Sequence, residues 1–275
     1  MLQQRGYYRK GIAQMEPLFQ ADLSYELEKN REAKRFLFDA MTIGEELLIS
    51  GAEVSRVEDT ISRICKAYGA ERVDVLSITS SLVVTIMGNS FGVVTQTRRI
   101  KGMQYDLHRL ELLNQLSRNI CSNPLTTEEI EAELRRIEAE TEYSFTSLIL
   151  ICAMVSASFS LFFGGTLRDA ICSALIGMIL KVTQTFLKRM EINALFNTFL
   201  CSVFGGVLAV LSVKAGFGQY LDKICIGDIM LLIPGLALTN SFRDMFSGDM
   251  ISGLLRFSEA LLIAVVLALG FVLVA

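Results

Sequence analysis

The stretch IMLLIPGLALTNSFRDMFSGD, residues 229–249, begins as a membrane helix would and then changes character. It finishes in polar side chains, namely Asn240, Arg243, Asp244 and Asp249. Pro234 removes one backbone donor and displaces the carbonyl four residues earlier, while Gly235 permits φ values closed to other residues. Within a membrane, protein or a water-filled cavity must cover the backbone that such a break exposes. Broken helices of this kind form transporter sites, but a proline kink can also serve packing alone, and both interpretations stay open.

The charges of the chain are concentrated before this region. Residues 1–144 hold 18 of the 26 Lys and Arg and 22 of the 29 Asp and Glu residues. A membrane-spanning helix needs about 20 mainly apolar residues, and suitable runs occur only after this charged part. We predict an N-terminal tail (residues 1–32), an α+β domain (33–144) and a transmembrane domain (145–275).

The fold class that follows is a membrane α-helical bundle of about five spans, preceded by a cytoplasmic α+β domain with a small antiparallel sheet. The candidate spans are residues 145–163, 169–187, 193–213, 225–242 and 256–275. The first residues, MLQQRGYYRK, lack the apolar h-region of a signal peptide, so we expect the first span to be the targeting signal.

Lys and Arg residues near the span ends predict the orientation. With the N-terminus in the cytoplasm, six of them flank the spans on the inside and three on the outside. The inner ones are Arg135, Arg136, Lys188, Arg189, Arg243 and Arg256, and the outer ones are Arg168, Lys214 and Lys223. The excess favours a cytoplasmic N-terminal domain.

The soluble domain shows both helical and strand patterns. Residues 33–67 are predicted to be mainly helical, because Val54, Val57, Ile61 and Ile64 recur at helical spacing and Gly69 follows. Residues 72–100 form three β-rich runs with a hairpin signal, MGNSFG, which predicts an antiparallel sheet. Two helices follow, at residues 105–120 and 127–142. Thr126 or Thr127 is the expected N-cap of the second.

The helix in the soluble domain carries a charged stripe in the segment GAEVSRVEDT. Glu53, Arg56, Asp59 and Arg63 lie along it, and Asp59 precedes Arg63 in the favourable i,i+4 order. A salt-bridged polar face is favoured over a binding site. His108 is the only histidine in the chain, and no nucleophile motif surrounds the nearby serines, so an enzyme is disfavoured.

Polar groups within the predicted spans need a reason, because a membrane interior disfavours them. Lys181 and Glu259 could pair, or Lys181 could snorkel toward the inner surface. Asp228 and Glu259 could instead mark misplaced span ends, the interpretation favoured for Asp228. Ser173 and Gly177 belong to a small-residue pattern that allows close helix packing.

Other classes of partner are disfavoured by composition. A net charge of −3 argues against nucleic-acid binding. Six cysteines occur without a CxxC pair, so buried free thiols are expected. We expect no metal site and no cofactor.

Several segments together resemble the threonine/serine exporter family, specifically its larger N-terminal module. They are GAEVSRVEDTISRICKAYG, VDVLSITSSLVVTI, SLFFGGTLRDA and LIPGLALTNSFRDMFSGDMISGLLRFSEA. The resemblance runs from about residue 33 to the C-terminus. It implies a subunit of a secondary exporter in the bacterial inner membrane, moving small carboxylate-bearing metabolites such as threonine and serine. A succinate exporter subunit and a membrane-tethered hydrolase-like enzyme are the alternatives.

The resemblance also implies a partner. Complete family transporters have about ten spans, carried on one chain or split between two. Because the chain ends at Ala275, directly after the fifth predicted span, we expect the split form with a small membrane subunit of the same family. The bilayer is a further partner, and the chain could assemble into a higher oligomer.

We assign hypothetical roles to the motif positions in three groups. The substrate pathway comprises Pro234, Gly235, Asn240, Arg243 and Lys181. Gating or proton handling falls to Asp244, Asp249, Glu259 and Asp228. Coupling of the cytoplasmic domain to the bundle falls to Glu53, Arg56, Glu58 and Asp59, with Arg56 expected in an ion pair.

Overall fold

The computed structural model describes residues 29–140, 143–190 and 192–274. The chain forms two compact units. Unit 1 comprises the residues up to Glu140 together with Arg243–Ser252, and unit 2 comprises Thr141–Phe242 with Gly253–Ala275. Residues 1–28 of the predicted tail lie outside the described residues. The predicted domain limits assigned residues 243–252 to the membrane domain, whereas the structure groups them with unit 1.

Unit 1 begins with two helices where the sequence predicted one. Helix α1 covers residues 29–49, and α2 covers Val54–Ala67. Between them Gly51 has a φ of 95°, and a Cβ there would lie 2.5 Å from the ring of Tyr105. Since L side chains rarely adopt this φ, glycine permits the turn. The prediction that residues 33–67 are mainly helical is confirmed, and the structure adds a break at residues 50–53.

The apolar stripe of α2 is confirmed, since Val54, Val57, Ile61 and Ile64 are all fully buried. They join the core of unit 1 with apolar residues of α1, of the sheet and of the later helices. The helix ends before Gly69, whose φ is 90°.

The predicted antiparallel sheet is also confirmed. Strands β1 (Arg72–Ile78), β2 (Ser81–Gly88) and β3 (Gly92–Arg99) pair antiparallel in the order β1-β2-β3. Val84 of the central strand lies opposite Val75 and Gln96. Leu82, Val84 and Ile86 alternate with more exposed residues, so one face of β2 covers the core.

Two further helices complete the continuous part of unit 1. Helix α3 covers Leu107–Ser122, and α4 covers Thr127–Ala139. Thr126 caps α4 in a capping box with Glu129, which confirms one of the two predicted N-caps. The side chain of Asp106 caps α3 by accepting the N–H of Arg109.

Unit 2 is helical. Helices α5 (Phe145–Phe162), α6 (Leu167–Arg189) and α7 (Ala194–Lys214) follow one another, and α10 (Met250–Val272) closes the described chain. Within the described residues these four helices are long and apolar enough to cross a membrane. Gly177 of α6 allows close approach to α5, because a Cβ there would lie 2.7 Å from Oγ of Ser156.

The predicted fourth span, residues 225–242, is not one continuous helix. Helix α8 covers Leu221–Ile229, residues 230–234 form turns, and α9 covers Gly235–Phe246. Helical hydrogen bonding after the interruption starts at Leu238, whose N–H donates to the carbonyl of Pro234 at 3.1 Å. The interruption therefore lies on the N-terminal side of Gly235 and is longer than the Pro-Gly pair. The predicted count of five spans stays a prediction.

Candidate functional site

The most unusual polar group of unit 2 is Asp228, in the last turn of α8. This helix packs against α5, α6 and α7, and Asp228 is fully buried. Helix α8 is not among the four helices that are long and apolar enough to cross a membrane, so the interpretation of Asp228 as a residue at a misplaced span end stays a prediction. A buried carboxyl group requires either hydrogen-bond donors or a counter-ion to offset its lost hydration.

Two serine hydroxyls supply donors to Asp228. Ser156 of α5 and Ser173 of α6 lie with their Oγ atoms 3.0 and 3.1 Å from Oδ1 of Asp228. Both serines are themselves fully buried. Ser156 Oγ also lies 3.3 Å from the carbonyl oxygen of Gly227, but its single proton serves one acceptor at a time. Three helices thus converge on one carboxyl oxygen.

The second oxygen of this carboxyl group has a different environment. Asp228 Oδ2 is buried and has no hydrogen-bond partner in the part of the chain that the structure describes. The same is true of Oγ of Ser160, one turn along α5 from Ser156. Within the described residues, Asp228 also makes no ion pair. The site can therefore accept a proton or a small cation at Oδ2.

Gly227 brings α8 close enough for these contacts. A Cβ at this position would lie 2.6 Å from the carbonyl oxygen of Ser156 and 3.1 Å from Cβ of Ser160. Any larger residue would push α8 away from α5. The sequence prediction included Asp228 and Ser173 but missed Ser156 and Ser160. The available signal was the alternating serines of VSASFS at residues 155–160.

The other predicted site residues of unit 2 lie at several places along its helices. Pro234 and Gly235 lie between α8 and α9, and Asn240 is half-buried in α9. Lys181 is half-buried in α6, and Glu259 is exposed on α10. These last two residues, both described, do not form the ion pair considered from the sequence.

Unit 1 contains a second convergence of predicted residues, around the N-terminus of α2. This helix has no side-chain cap of its own and no acidic residue in its first turn. Asp244, 190 residues later in sequence, accepts the backbone N–H of Val54 at 3.1 Å through Oδ1. Asp244 is fully buried, so a distant carboxyl group takes the place of a local cap.

Arg243 and Glu53 reinforce this junction. Nη1 of Arg243 lies 2.7 Å from Oε1 of Glu53. The Arg243 side chain is 60% exposed and that of Glu53 19% exposed. A residue predicted to line the substrate pathway and one predicted to couple the domains therefore form a single ion pair.

The remaining contacts of the junction involve β1. Oε1 of Glu58 accepts the N–H of Ser77 at 2.8 Å, and Oγ of Ser252 donates to the carbonyl of Ser77 at 3.4 Å. Burial raises the pKa of Glu58, the Ser77 N–H lowers it, and the negative charge of Asp249 raises it, with a net upward shift. We call this set the α2 junction: Glu53, Val54, Glu58, Ser77, Arg243, Asp244, Asp249 and Ser252.

Two other charged residues of the motif lie outside the junction. Asp59 pairs with Arg63 at 2.7 Å, as the spacing predicted. Arg56 was expected in an ion pair, but it has no such partner among the described residues and lines a groove instead. His108 is exposed on α3, where its Nε2 lies 3.5 Å from Oε1 of Glu140.

The comparison with protein families identifies the class of protein. The family model of the threonine/serine exporters, ThrE, matches residues 40–275. The chain belongs to the threonine/serine exporter family. This is a family of exporters rather than of enzymes, and the apolar helices of unit 2 agree with a membrane transporter.

Relatives within the family differ in length and in name. The chain is 24% identical over 234 residues to the threonine/serine exporter of Corynebacterium glutamicum, covering 81% of this chain but 47% of that protein. It is 22% identical over 231 residues to a Klebsiella aerogenes protein named "Probable succinate transporter subunit YjjP". This match covers 82% of this chain and 88% of that protein. The protein of that name from Escherichia coli is 23% identical over 235 residues, which cover 82% of this chain and 88% of that protein. The chain thus spans about half the first relative and most of the other two. No solved structure matches it.

Proposed function

We propose that this chain is one subunit of a secondary exporter for small carboxylate-bearing metabolites, and that Asp228 handles the proton that drives or gates export. The observation that carries the proposal is the fully buried carboxyl group of Asp228, with donors on Oδ1 and none on Oδ2. Ionisable residues inside membrane bundles are costly and usually functional. Family membership supplies the transport class.

The geometry suits reversible proton binding. The hydroxyls of Ser156 and Ser173 stabilise the charged carboxylate, while the buried surroundings favour the neutral acid. The two forms are therefore balanced by opposing contributions rather than fixed by an ion pair. A proton added at Oδ2 leaves both serine hydrogen bonds to Oδ1 in place.

The substrate pathway in this proposal includes the interruption between α8 and α9. A helix N-terminus at such a break carries partial positive charge, which suits a carboxylate. Pro234, Gly235 and Asn240 would line that route, and Lys181 would supply a positive charge. Asp249 and Glu259 remain candidates for a gate.

The α2 junction is the proposed coupling element of the N-terminal domain. Arg243 and Asp244 connect the C-terminal part of α9 to the N-terminus of α2 within unit 1. We therefore propose that Arg243 acts in coupling together with Glu53 and Glu58, and not in substrate contact.

The proposed setting is the bacterial inner membrane, with the N-terminal domain in the cytoplasm and a small membrane subunit as partner. The distribution of Lys and Arg supports this orientation. The subunit name of the YjjP relatives and the extra length of the C. glutamicum relative support a partner. Their names leave threonine, serine and succinate as the substrates to test.

The decisive experiment measures efflux of preloaded threonine, serine and succinate from cells that lack related exporters. The chain is expressed alone and together with a small membrane protein of the same family, across a range of external pH. We expect export on co-expression and its loss in Asp228→Asn. Asp222→Asn is the matched control, because Asp222 lies on α8 but is exposed beside Lys223.

Three results would contradict parts of the proposal. Export by the chain alone would remove the need for a partner. Unchanged export and pH dependence in well-inserted Asp228→Asn would remove Asp228 from proton handling. Absence of export for all three substrates, with substrate turnover abolished by His108→Ala, would favour the hydrolase alternative.

A further inference from the structure

A polar groove in unit 1 lies between α2 and α3 and has no role in the proposed transport step. Its volume is about 480 Å³, which lies within the range of about 300–1,000 Å³ typical of small-molecule sites. Helix α2 contributes Arg56, Asp59 and Arg63, and α3 contributes Arg118 and Cys121. The remaining lining residues are serine, threonine and asparagine, so the groove has no large apolar side chain.

The charge of the groove is opposite to that of the whole chain. Three arginines face one aspartate, whereas the chain has a net charge of −3. Some other arginines of unit 1 pair with carboxylates, as Arg98 does with Glu45 and Arg109 does with Glu46. The groove therefore concentrates positive charge in an acidic protein.

The guanidinium groups in the groove keep donors available. Arg56 and Arg118 have no ion-pair partner among the described residues. Arg63 binds Oδ2 of Asp59 through Nε at 2.7 Å, so this bond orients the side chain without using its two terminal nitrogens. Guanidinium groups bind carboxylate and phosphate oxygens in a bidentate manner, because their fork of donors matches those groups.

We propose that the groove between α2 and α3 binds a small metabolite bearing a carboxylate or phosphate group, held by Arg56, Arg63 and Arg118. An apolar ligand does not suit a groove lined by charged and hydroxyl side chains. The serine, threonine and asparagine side chains supply further hydrogen bonds to such a ligand. The proposal is independent of the transport role of Asp228, since all its residues belong to unit 1.

Cys121 is a reporter built into the groove. The residue is exposed, although neighbouring side chains partly shield its sulfur, and this partial burial raises the pKa of the thiol. The positive charge of Arg63 lowers that pKa, and the negative charge of Asp59 raises it. An oxyanion bound to Arg63 would offset that positive charge and raise the pKa of the thiol further. A higher pKa leaves a smaller fraction of the thiol as the reactive thiolate at neutral pH. Bound ligand should therefore slow alkylation of Cys121 by charge as well as by coverage.

The test uses the purified full-length chain in detergent and follows alkylation of the Cys121 peptide by mass spectrometry. Iodoacetamide is suitable because it is uncharged and is not attracted by arginine. Succinate, threonine and inorganic phosphate are titrated separately, with sodium chloride at equal ionic strength as the reference. We expect one class to slow the reaction several-fold with saturation, and the responding class separates a carboxylate ligand from a phosphate ligand.

Substitutions then connect protection to the groove. Arg56→Ala and Arg118→Ala should each raise the ligand concentration needed for protection about tenfold or more, the loss expected of one charge-assisted contact. Arg135→Ala is the matched control, because Arg135 is exposed and paired with Glu131 on α4. No saturable protection by any of the three compounds, or equal protection in the arginine variants, would overturn the proposal.

Discussion

Replacing Asp228 separates its structural role from its functional one. Asp228→Asn keeps the shape of the side chain and an oxygen acceptor for Ser156 and Ser173. It removes the charge and the site that a proton would occupy. Asp228→Ala instead removes the acceptor, so that Ser173 loses its partner, whereas Ser156 can still donate to the carbonyl of Gly227.

The expected magnitudes differ for the two substitutions. Leaving the buried Ser173 hydroxyl unsatisfied costs about 1–3 kcal/mol, and truncating a buried side chain leaves a small cavity, so we expect Asp228→Ala to be destabilising by about 2–4 kcal/mol. In Asp228→Asn the buried carboxylate, whose desolvation costs several kcal/mol, is replaced by a neutral amide with unsatisfied donors of about 1–3 kcal/mol. We expect these contributions to offset each other, leaving the stability of Asp228→Asn within about 2 kcal/mol of the parent.

Thermal unfolding and efflux measured on the same variants test this reasoning. The chain has no tryptophan, but its buried cysteines report unfolding through a thiol-reactive dye. We expect Asp228→Ala to lower the unfolding temperature by about 4 °C or more, whereas Asp228→Asn stays near the parent and loses export. The separation of roles would be refuted if Asp228→Asn unfolded at the same temperature as Asp228→Ala, or if Asp228→Asn exported normally.

Three further predictions concern the α2 junction. Asp244→Ala should lower the free energy of unfolding by about 1–2 kcal/mol and speed hydrogen exchange at the Val54 amide, because α2 loses its cap. Asp244→Asn should retain most of the protection, and unchanged exchange in the alanine variant would contradict the capping role. A double-mutant cycle on Arg243 and Glu53 should give a coupling energy below about 1 kcal/mol, because the arginine side chain is 60% exposed, and a larger value would require a more buried pair. The raised pKa of Glu58 means that its contribution to stability is full below the unfolded value near 4.5 and is lost as pH rises through the folded value. Glu58→Gln should therefore stabilise the chain relative to the parent at pH 7 but not at pH 4, as measured by chemical denaturation at both pH values. An equal effect at the two pH values would contradict this prediction.

Local patterns were enough to predict the regular parts of the fold. Strand alternation and the MGNSFG turn predicted the sheet, and the spacing of Val54, Val57, Ile61 and Ile64 predicted the buried face of α2. These features depend on neighbours within one element, which a sequence displays directly. The same pattern did not reveal the break at Gly51, because the residues on both sides continue a helical period.

The interruption around Pro234 was predicted in place but not in extent. A proline directly affects the turn before it, whereas the structure has non-helical turns over residues 230–234. The sequence alone does not show which packing contacts hold α8 as a separate short helix. Its position against α5, α6 and α7 depends on Gly227 and on small residues elsewhere in the chain.

The candidate sites required contacts between distant segments. Val54 and Asp244 are 190 residues apart, and Ser156 lies 72 residues before Asp228. No periodicity within either segment points to the other. Asp228 was selected from the sequence for its cost in an apolar region and Asp244 as a motif position of the family resemblance, but their hydrogen-bond partners came only from the structure.

Three fully buried aspartates allow those roles to be distinguished by their donors. Asp169 accepts the backbone N–H groups of Gln219 and Tyr220 on one oxygen, and the N–H and hydroxyl of Thr166 on the other. Asp244 accepts a backbone N–H at the positive end of a helix. Backbone donors cannot rotate away, so they hold a carboxylate in its charged form and fix the structure around it. Among the described residues, the donors to Asp228 are two serine hydroxyls on one oxygen, and hydroxyls can turn to donate elsewhere, as Ser156 can to the carbonyl of Gly227. This difference supports the proposal that, of the three, Asp228 is the carboxyl group that changes its protonation state.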